Sequence, residues 1–343
     1  LTLLIDYRRE TNILYDAQHR LTSSISYAYT GASELDAALL DVTYTLNEAF
    51  DATSGVAGKI TQVTYSKKDL SVVTGVKVIV NTGIAASGNV SNMTVTNYKP
   101  ASVNVATGLI TLSGSELYQD TIQNLLFDDW GNATSQKITT KNWKAGTPNG
   151  SFSAFSSARE ITSVYNEYNN MTTSTVKDYS DDTFASGSYI SKQVITVAST
   201  AGYDEYGNVL KEVVDSFDKA GVMIDSKDIT NVYSTTASKM KHNPTSSDTI
   251  RYKTAARGAG EVKLDKVAVV SSLDEFGRVT SQTIKNYSYR TGLEVQTARQ
   301  EIVNKSFNDL GDATDRTIST FYGSSLTLLI DYRRETNILY DAQ

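Results

Sequence analysis

Residues 203–208 read Tyr-Asp-Glu-Tyr-Gly-Asn, and this short stretch predicts the fold of the whole chain. A β-branched run, 193–198, precedes it, and a second strand-like run, 209–217, follows it. Two such runs on either side of an Asp/Asn/Gly turn are typical of a β-hairpin. We expect Gly207 to adopt a positive φ, because glycine has no Cβ penalty there and Asn, Asp and His are its usual substitutes.

The same layout recurs along the chain. When the copies are aligned on the residue four before the glycine, they begin at Tyr15, Ile84, Phe127, Tyr165, Tyr203, Ser238, Leu273, Phe307 and Tyr340, with a stretched copy near Phe50. The glycine position holds only Gly, Asn or His, namely His19, Gly88, Gly131, Asn169, Gly207, His242, Gly277 and Gly311. Spacings of about 33 to about 43 residues are typical of arrays and solenoids. The sequence therefore predicts tandem hairpins rather than separate globular domains.

An aromatic residue usually ends the second strand of each copy. These closing residues are Tyr29, Tyr98, Tyr179, Phe217, Tyr252, Tyr287 and Phe321, and Trp143 closes its copy late. Together with the opening residues Tyr15, Phe127, Tyr165, Tyr203 and Phe307, they are expected to stack between neighbouring units. In an alternative interpretation, exposed Tyr or Trp side chains bind sugar rings on another cell.

The hairpins are expected to pair side by side, because no single hairpin is stable alone. Pairing also satisfies the N–H and C=O groups at each strand edge. The predicted fold is all-β, with a continuous antiparallel ribbon of hairpins wound into a spiral, tube or solenoid.

Composition excludes several functional classes. The net charge of −6 and a pI near 5.1 argue against nucleic acid and anionic membranes as main partners. The absence of cysteine excludes disulfides and thiol catalysis. No apolar run in the sequence reaches the 18 residues that a membrane-spanning segment needs.

The two ends of the chain share one sequence. Residues 1–18 recur letter for letter as 326–343, which chance cannot produce. We interpret 1–325 as one superrepeat of about nine hairpin units, and 326–343 as the start of an identical superrepeat in a longer chain. An artificially duplicated terminus is the alternative.

A turn of the form Tyr-Asp-x-x-Gly-Arg/Asn, followed by Leu/Val/Ala-Thr, resembles the YD-repeat family of bacterial Rhs proteins and animal teneurins. The best matches are 203–208, 273–280 and 15–22, and the resemblance extends over nearly the whole chain. The Arg-Tyr-x-Tyr lead-in of that family is mostly missing. The resemblance implies a β-strip wound into a hollow shell, which in some members encloses a toxin released by a self-cleaving core domain. Neither a core domain nor a toxin is recognised in this sequence.

The sequence holds no convincing catalytic or cofactor motif, and we expect no enzyme. Its two histidines, His19 and His242, both fall on the glycine position and are predicted to be turn residues. The stretch 55–60 lacks the first glycine and the Ser/Thr of a phosphate-binding loop. Neighbouring acids could gather Ca²⁺ through oxygen ligands, although lone turn acids more often bond backbone N–H groups as Asx turns. These acids are Asp128 with Asp129, Asp181 with Asp182, and Asp204 with Glu205.

The pattern as a whole indicates a structural protein. We expect a repeat segment of a very long extracellular or cell-surface filament, with an adhesive or cell-contact role. Its partners would be the continuation of the same chain, identical repeats in a filament, or cell-surface glycans. The alternatives are an Rhs-like encapsulating shell for toxin delivery and a carbohydrate-binding adhesin module.

Overall fold

The computed structural model describes residues 7–29, 34, 39–104, 109–112, 114–144, 151–198, 201–254, 262–308, 313–324 and 328–336. These residues form 21 strands, and nineteen of the strands belong to one antiparallel sheet. The prediction of an all-β fold built from tandem antiparallel hairpins is confirmed. Among the sequence-predicted positions, Gly311 and Tyr340 lie outside the described residues.

The strands follow one another at short intervals. Those of the N-terminal half are β1 (Tyr7–Tyr15), β2 (Leu21–Tyr29), β3 (Leu39–Phe50), β4 (Ala57–Tyr65), β5 (Val73–Ile84), β6 (Val90–Tyr98), β7 (Val103–Asn104), β8 (Leu109–Ile110), β9 (Glu116–Phe127), β10 (Ala133–Lys144) and β11 (Ser151–Tyr165). Those of the C-terminal half are β12 (Met171–Tyr179), β13 (Tyr189–Val197), β14 (Lys211–Asp218), β15 (Met223–Val232), β16 (Ser246–Tyr252), β17 (Lys263–Leu273), β18 (Val279–Ser288), β19 (Val295–Phe307), β20 (Ala313–Tyr322) and β21 (Leu329–Thr336).

The described residues divide into two compact units. The N-terminal unit contains those within Asp6–Tyr165 and Val176–Ile190, and the C-terminal unit those within Asn166–Thr175 and Ser191–Tyr340. In the N-terminal unit each strand from β1 to β6 pairs antiparallel with the next, β6 pairs with β9, and β9 and β11 flank β10. In the C-terminal unit each strand from β13 to β21 pairs with the next. The winding of the ribbon stays a prediction.

The apolar core of the N-terminal unit lies on one face of β2 to β5. Tyr29, Val42 and Val63 are fully buried there. In β4 burial alternates, with Thr61, Val63 and Tyr65 buried and the residues between them half-exposed, as expected for a sheet with one packed face. Val103, in the short β7–β8 hairpin, packs into the same cluster.

One predicted hairpin turn is wrong. The copy at Ser238 forms a short helix, α1 (Thr236–Met240), in which Thr235 and Ser238 make a reciprocal capping box. At its end, His242 N–H donates to Lys239 C=O and Asn243 N–H donates to Ser238 C=O, a Schellman arrangement with His242 at a φ of 56°. A residue that tolerates positive φ suits this helix end as well as a β-turn, so the repeat pattern alone could not separate the two.

Within the described residues, no helix is long and apolar enough to cross a membrane.

Candidate functional site: the recurring turns

The turn at 204–208 shows the local chemistry of the repeat. Asp204 Oδ1 accepts hydrogen bonds from the backbone N–H groups of Tyr206 and Asn208, both at 2.9 Å. The second carboxylate oxygen of Asp204 accepts from Asn208 Nδ2 at 2.9 Å. The backbone closes on itself, since Gly207 N–H donates to Asp204 C=O at 3.1 Å. The aspartate therefore holds its own turn shut, as in an Asx turn.

The same arrangement recurs at other copies. The carboxylates of Asp16, Asp128 and Asp274 each accept the N–H groups two and four residues later. Their second oxygen accepts from Arg20, Asn132 and Arg278, respectively. Asn166 fills the same position with a neutral amide oxygen, which accepts the N–H groups of Tyr168 and Asn170 at 3.0 Å.

Seven of the eight predicted glycine positions are described, and all seven have positive φ. The φ values are 61° at His19, 91° at Gly88, 86° at Gly131, 60° at Asn169, 77° at Gly207, 56° at His242 and 77° at Gly277. These values lie in or near the left-handed region, where side chains other than Gly, Asn, Asp and His are costly.

Sequence reasoning missed one turn of this kind. Asp218 Oδ1 accepts the N–H groups of Ala220 and Val222 at 2.9 Å, and Gly221 has a φ of 79°. This turn joins β14 to β15, at the opposite end of β14 from the turn at 204–208. The signal is complete, since Phe217 stands four residues before Gly221 and Asp218 follows it, but Phe217 had already been counted as the residue that closes the copy opened by Tyr203.

The carboxylate of Asp16 gives the fold a pH dependence. The backbone N–H of Arg20, and then its guanidinium, hold the pKa of Asp16 below its ordinary value. A depressed pKa in the folded state means that the charged form stabilises the fold above the unfolded pKa, about 3.9 for Asp, and that this contribution is lost as pH falls through the folded pKa.

We therefore expect Asp16→Asn to weaken the acid dependence of stability, because an asparagine can keep the Asx turn without titrating. The inverse change, Asn166→Asp, is expected to strengthen it. Urea unfolding of both variants and the parent at pH 6 and pH 3 measures the effect. Parallel loss of stability with acid in all three proteins would contradict the assignment.

Consecutive turns also touch one another. In the N-terminal unit the guanidinium of Arg20 lies 4.5 Å from the ring centroid of Phe50, at the start of the next turn. In the C-terminal unit Asn208 Nδ2 donates to Lys239 C=O at 3.0 Å, at the end of α1. Asn243, just past α1, donates to Gly277 C=O at 3.1 Å. Asn208 is 3% exposed, so its contact with Lys239 is shielded from water, whereas Asn243 is exposed.

A second link between hairpins was not predicted. At seven of the described turns, the carbonyl of the first residue after the turn accepts a hydrogen bond from a side chain of the following hairpin. We call these bonds carbonyl caps. In five of them the donor is an asparagine amide: Asn47 to Leu21, Asn81 to Ala57, Asn124 to Val90, Asn231 to Val209 and Asn304 to Val279, at 2.7–3.1 Å.

Tyrosine supplies the carbonyl cap where the asparagine is missing. Tyr203 Oη donates to Met171 C=O at 2.8 Å, and Tyr165 Oη donates to Ala133 C=O at 3.5 Å. Asn47, Asn81, Asn124 and Asn304 each stand three residues before a Phe or Ile, which has no hydroxyl. Six of the seven caps therefore share a sequence signal, either Asn-x-x-Phe/Ile or Tyr itself at the opening position, and Asn231, with Ser234 three residues later, lies outside it.

Removal of one such hydroxyl has a measurable cost. We expect Tyr203→Phe to lower the free energy of unfolding by about 1 kcal/mol, the usual worth of one hydrogen bond. Tyr15→Phe is the matched control, because Tyr15 is 60% exposed and has no preceding hairpin within the described residues. Its effect is expected to stay within about 0.5 kcal/mol. Thermal or urea unfolding compares the two, and equal losses would argue against the carbonyl cap.

The predicted stacking aromatics occupy different environments. Tyr29, Tyr179 and Tyr252 are buried. The half-buried members are Tyr98, Phe127, Trp143, Tyr165, Tyr203, Phe217, Tyr287, Phe307 and Phe321. Ring contacts join Trp143 to Phe152 at 4.9 Å and Tyr179 to Phe184 and Tyr189 at 5.2 and 6.0 Å. Cations lie over others: Lys192 over Phe217, Lys266 over Tyr287, and Arg278 over Phe307.

Five of the six acids proposed for Ca²⁺ bond other groups of the protein. Asp128 and Asp204 bond their own turns, as described above. Asp181 accepts the N–H and hydroxyl of Thr183, Asp182 pairs with Lys141 at 2.6 Å, and Glu205 pairs with Lys239. Among the described residues, no three His, Asp or Glu side chains are grouped so that they could hold a metal ion.

The described residues line two shallow grooves, among others. One, of about 340 Å³ in the N-terminal unit, is lined by Lys137, Lys141, Asp182 and Phe184. The other, of about 660 Å³ in the C-terminal unit, is lined by Arg251, Asp265, Lys266 and Tyr287 among others. Ion pairs already engage their charges: Lys141 with Asp182, Arg251 with Asp265, and Lys266 with Asp248. The stretch 55–60, compared above with a phosphate loop, runs from a turn into β4.

Comparisons with known proteins place the chain in no family. No protein-family model matches it, and no curated protein matches it. Among solved structures it has a likeness to a chain of the Photorhabdus luminescens Tc holotoxin pore, with 9% identity and a TM-score of 0.18. That likeness covers 92% of this chain and 19% of the other, so the chain spans about a fifth of its length. A TM-score this low carries no argument, and the YD-repeat resemblance stays an interpretation of the sequence.

Proposed function

We propose that the chain is a non-catalytic structural segment of a very long extracellular or cell-surface filament with a cell-contact role. The observation that carries the proposal is the recurrence of 1–18 as 326–343. Residues 7–11 lie in β1, and their repeats at 332–336 lie in β21.

The two copies of the shared strand have complementary surroundings. β1 pairs with β2, the strand that follows it, and β21 pairs with β20, the strand that precedes it. In a longer chain of superrepeats, one strand would make both sets of pairs. The antiparallel sheet would then continue from one superrepeat into the next without a linker.

The carbonyl caps support the same continuity. Elsewhere a capping Asn or Tyr reaches back to the preceding hairpin. β1 carries both donor types at the matching positions, Asn12 and Tyr15, and no preceding hairpin lies beside them within the described residues. A preceding superrepeat would supply the hairpin that these donors are placed to meet.

The chemistry of the turns supports a structural role over a catalytic one. The carboxylates of the described copies close their own turns, and His19 and His242 hold positive-φ backbone. Contact with another surface would fall to aromatic side chains at the turn tips. Trp130 and Tyr168 are 63% and 74% exposed and stand two residues after the Asp or Asn of their turns. Such rings are suited to stack on sugars of a cell-surface glycan.

Electron microscopy of the native material, with the chain mass read from a denaturing gel, tests the proposal. We expect a uniform thin filament with an axial repeat and a chain far heavier than the 37.4 kDa of one segment. Discrete particles of about one chain mass would contradict it. They would favour a closed shell of the Rhs kind or a single glycan-binding module.

A further inference from the structure

We propose that two copies of this chain join head to tail by strand exchange, with β21 of one copy replacing β1 beside β2 of the next. This inference rests on the proposed function, because it treats the shared strand as the joint between segments. It adds an interface of defined register and a defined partner, a second copy of this chain.

The sequence identity makes the exchange possible. Residues 332–336 in β21 repeat 7–11 in β1, so β2 meets the same side chains from either source. In β1, Arg9 lies opposite Tyr27, Glu10 opposite Ser26 and Thr11 opposite Ile25. After exchange, Arg334, Glu335 and Thr336 of one copy would take these places beside β2 of the other.

The pairing of β21 leaves it able to accept a second neighbour. Its pairs with β20 run from Asp315↔Thr336 to Phe321↔Leu329. Among the described strands β21 pairs with β20 alone, and β1 with β2 alone. An antiparallel strand has two edges of N–H and C=O groups, and an edge left open is a template for another chain. The exchanged strand would satisfy both edges at once.

Charge also fits a strand held between both neighbours. Arg334 donates to Asp315 on β20 at 2.8 Å, and its equivalent Arg9 pairs with Glu34, past the end of β2. A guanidinium has five N–H donors and can serve two carboxylates. In the exchanged assembly one arginine would have an acidic partner on each side.

The exchange competes with the chain's own β1. The five-residue turn 16–20 tethers β1 to β2, which gives β1 an effective concentration on the order of millimolar. Free chains at lower concentration are therefore expected to stay mostly unexchanged. Weakening of β1 alone should favour the exchange, and weakening of β21 alone should suppress it.

Cysteine cross-linking tests the register directly, because the chain has no cysteine of its own. A Glu335→Cys chain is mixed with a Ser26→Cys chain, and disulfide-linked dimer is read on a non-reducing gel. The matched control replaces Glu335→Cys by Arg333→Cys, on the same strand face but two residues out of register. Diagonal neighbours lie about 7–8 Å apart, beyond easy disulfide reach, so we expect cross-linking at least about tenfold slower in the control.

Paired proline variants test the direction of exchange. Because alternate residues face alternate edges, two adjacent prolines disturb both edges of a strand. Arg9→Pro with Glu10→Pro, added to the Ser26→Cys chain, is expected to raise the dimer yield. Arg334→Pro with Glu335→Pro changes the same two residues of the other copy. A chain that carries only these two prolines is expected to form none of the larger species that the β1 variant forms at high concentration. Light scattering measures both variants.

Equal cross-linking in the two registers, or equal effects of the two proline pairs, would overturn the strand exchange. A Glu10→Cys with Ser26→Cys chain, which should close an internal disulfide, shows that the position tolerates the chemistry. Exchange seen in vitro beside a native chain of single-segment mass without filaments would uphold this inference and refute the proposed filament. Native filaments without in-register cross-linking would uphold the proposed filament and refute the strand exchange.

Discussion

Replacement of Gly58 by alanine is expected to lower the free energy of unfolding of the N-terminal unit by about 3 kcal/mol, the upper end for overpacking a closed site. Gly58 lies in β4 across from Ala49 of β3, which has a φ of 52°, in the left-handed region. A Cβ at Gly58 would lie 2.4 Å from the Ala49 carbonyl oxygen. Because that oxygen belongs to the backbone, the clash can be relieved only if the β3–β4 pairing shifts.

Gly75→Ala is the matched control. Gly75 lies in the neighbouring strand β5 and is not one of the glycines with positive φ. A Cβ at Gly75 would meet no atom within 4 Å. We expect a change within about 0.5 kcal/mol, since alanine reduces the entropy of the unfolded chain. Both tryptophans, Trp130 and Trp143, belong to the N-terminal unit, so their fluorescence during urea unfolding reports on it. Similar losses in the two variants would show that the β3–β4 pairing adapts to the added methyl group.

Asn208→Ala is expected to cost about 3 kcal/mol, because it breaks several buried hydrogen bonds and leaves their partners without them. The Asn208 amide donates to Asp204 and to the Lys239 carbonyl, and its oxygen contacts His242 Nδ1. The variant therefore loosens the turn and its contact with α1 together. We expect faster hydrogen exchange in peptides covering both 201–212 and 236–245.

Asn132→Ala separates the two roles of this position. Asn132 makes the same amide bond to its own turn aspartate, at 2.9 Å from Asp128, but it is only half-buried. We expect a loss of about 1 kcal/mol, with faster exchange confined to peptides around 128–133. If Asn132→Ala and Asn208→Ala were equally costly, the contact between Asn208 and α1 would add nothing to stability.

Local chemistry explains which parts of the fold could be predicted from the sequence. The positive-φ positions could be predicted because Gly, Asn and His recur at one spacing. Few other residue types are favoured where the backbone is left-handed. The helix at Thr236–Met240 was not visible, because its His242 end satisfies the same backbone requirement as a β-turn. The sequence indicated where the chain reverses direction. The capping box of Thr235 and Ser238 makes this reversal a helix rather than a β-turn.

The candidate site shows the same limit. The Asx role of Asp128 and Asp204 depends on atoms within five residues, so spacing was enough to propose it. The carbonyl caps join residues 22 to 34 positions apart, and two residue types fill the donor role. Asn81 and Tyr203 are different residue types at different positions of the repeat. Their shared role as carbonyl-cap donors is evident only from the backbone carbonyls to which they donate.

The carbonyl caps give the array a direction of growth. In every pair described, the earlier hairpin provides the acceptor and the later hairpin provides the donor. A ribosome that makes the chain from its N-terminus would release each acceptor before the side chain that needs it. Each new hairpin could then dock on a finished one without waiting for distant sequence, which limits the exposed edges that lead large β-proteins to aggregate. A chain of great length could in this way fold one hairpin at a time.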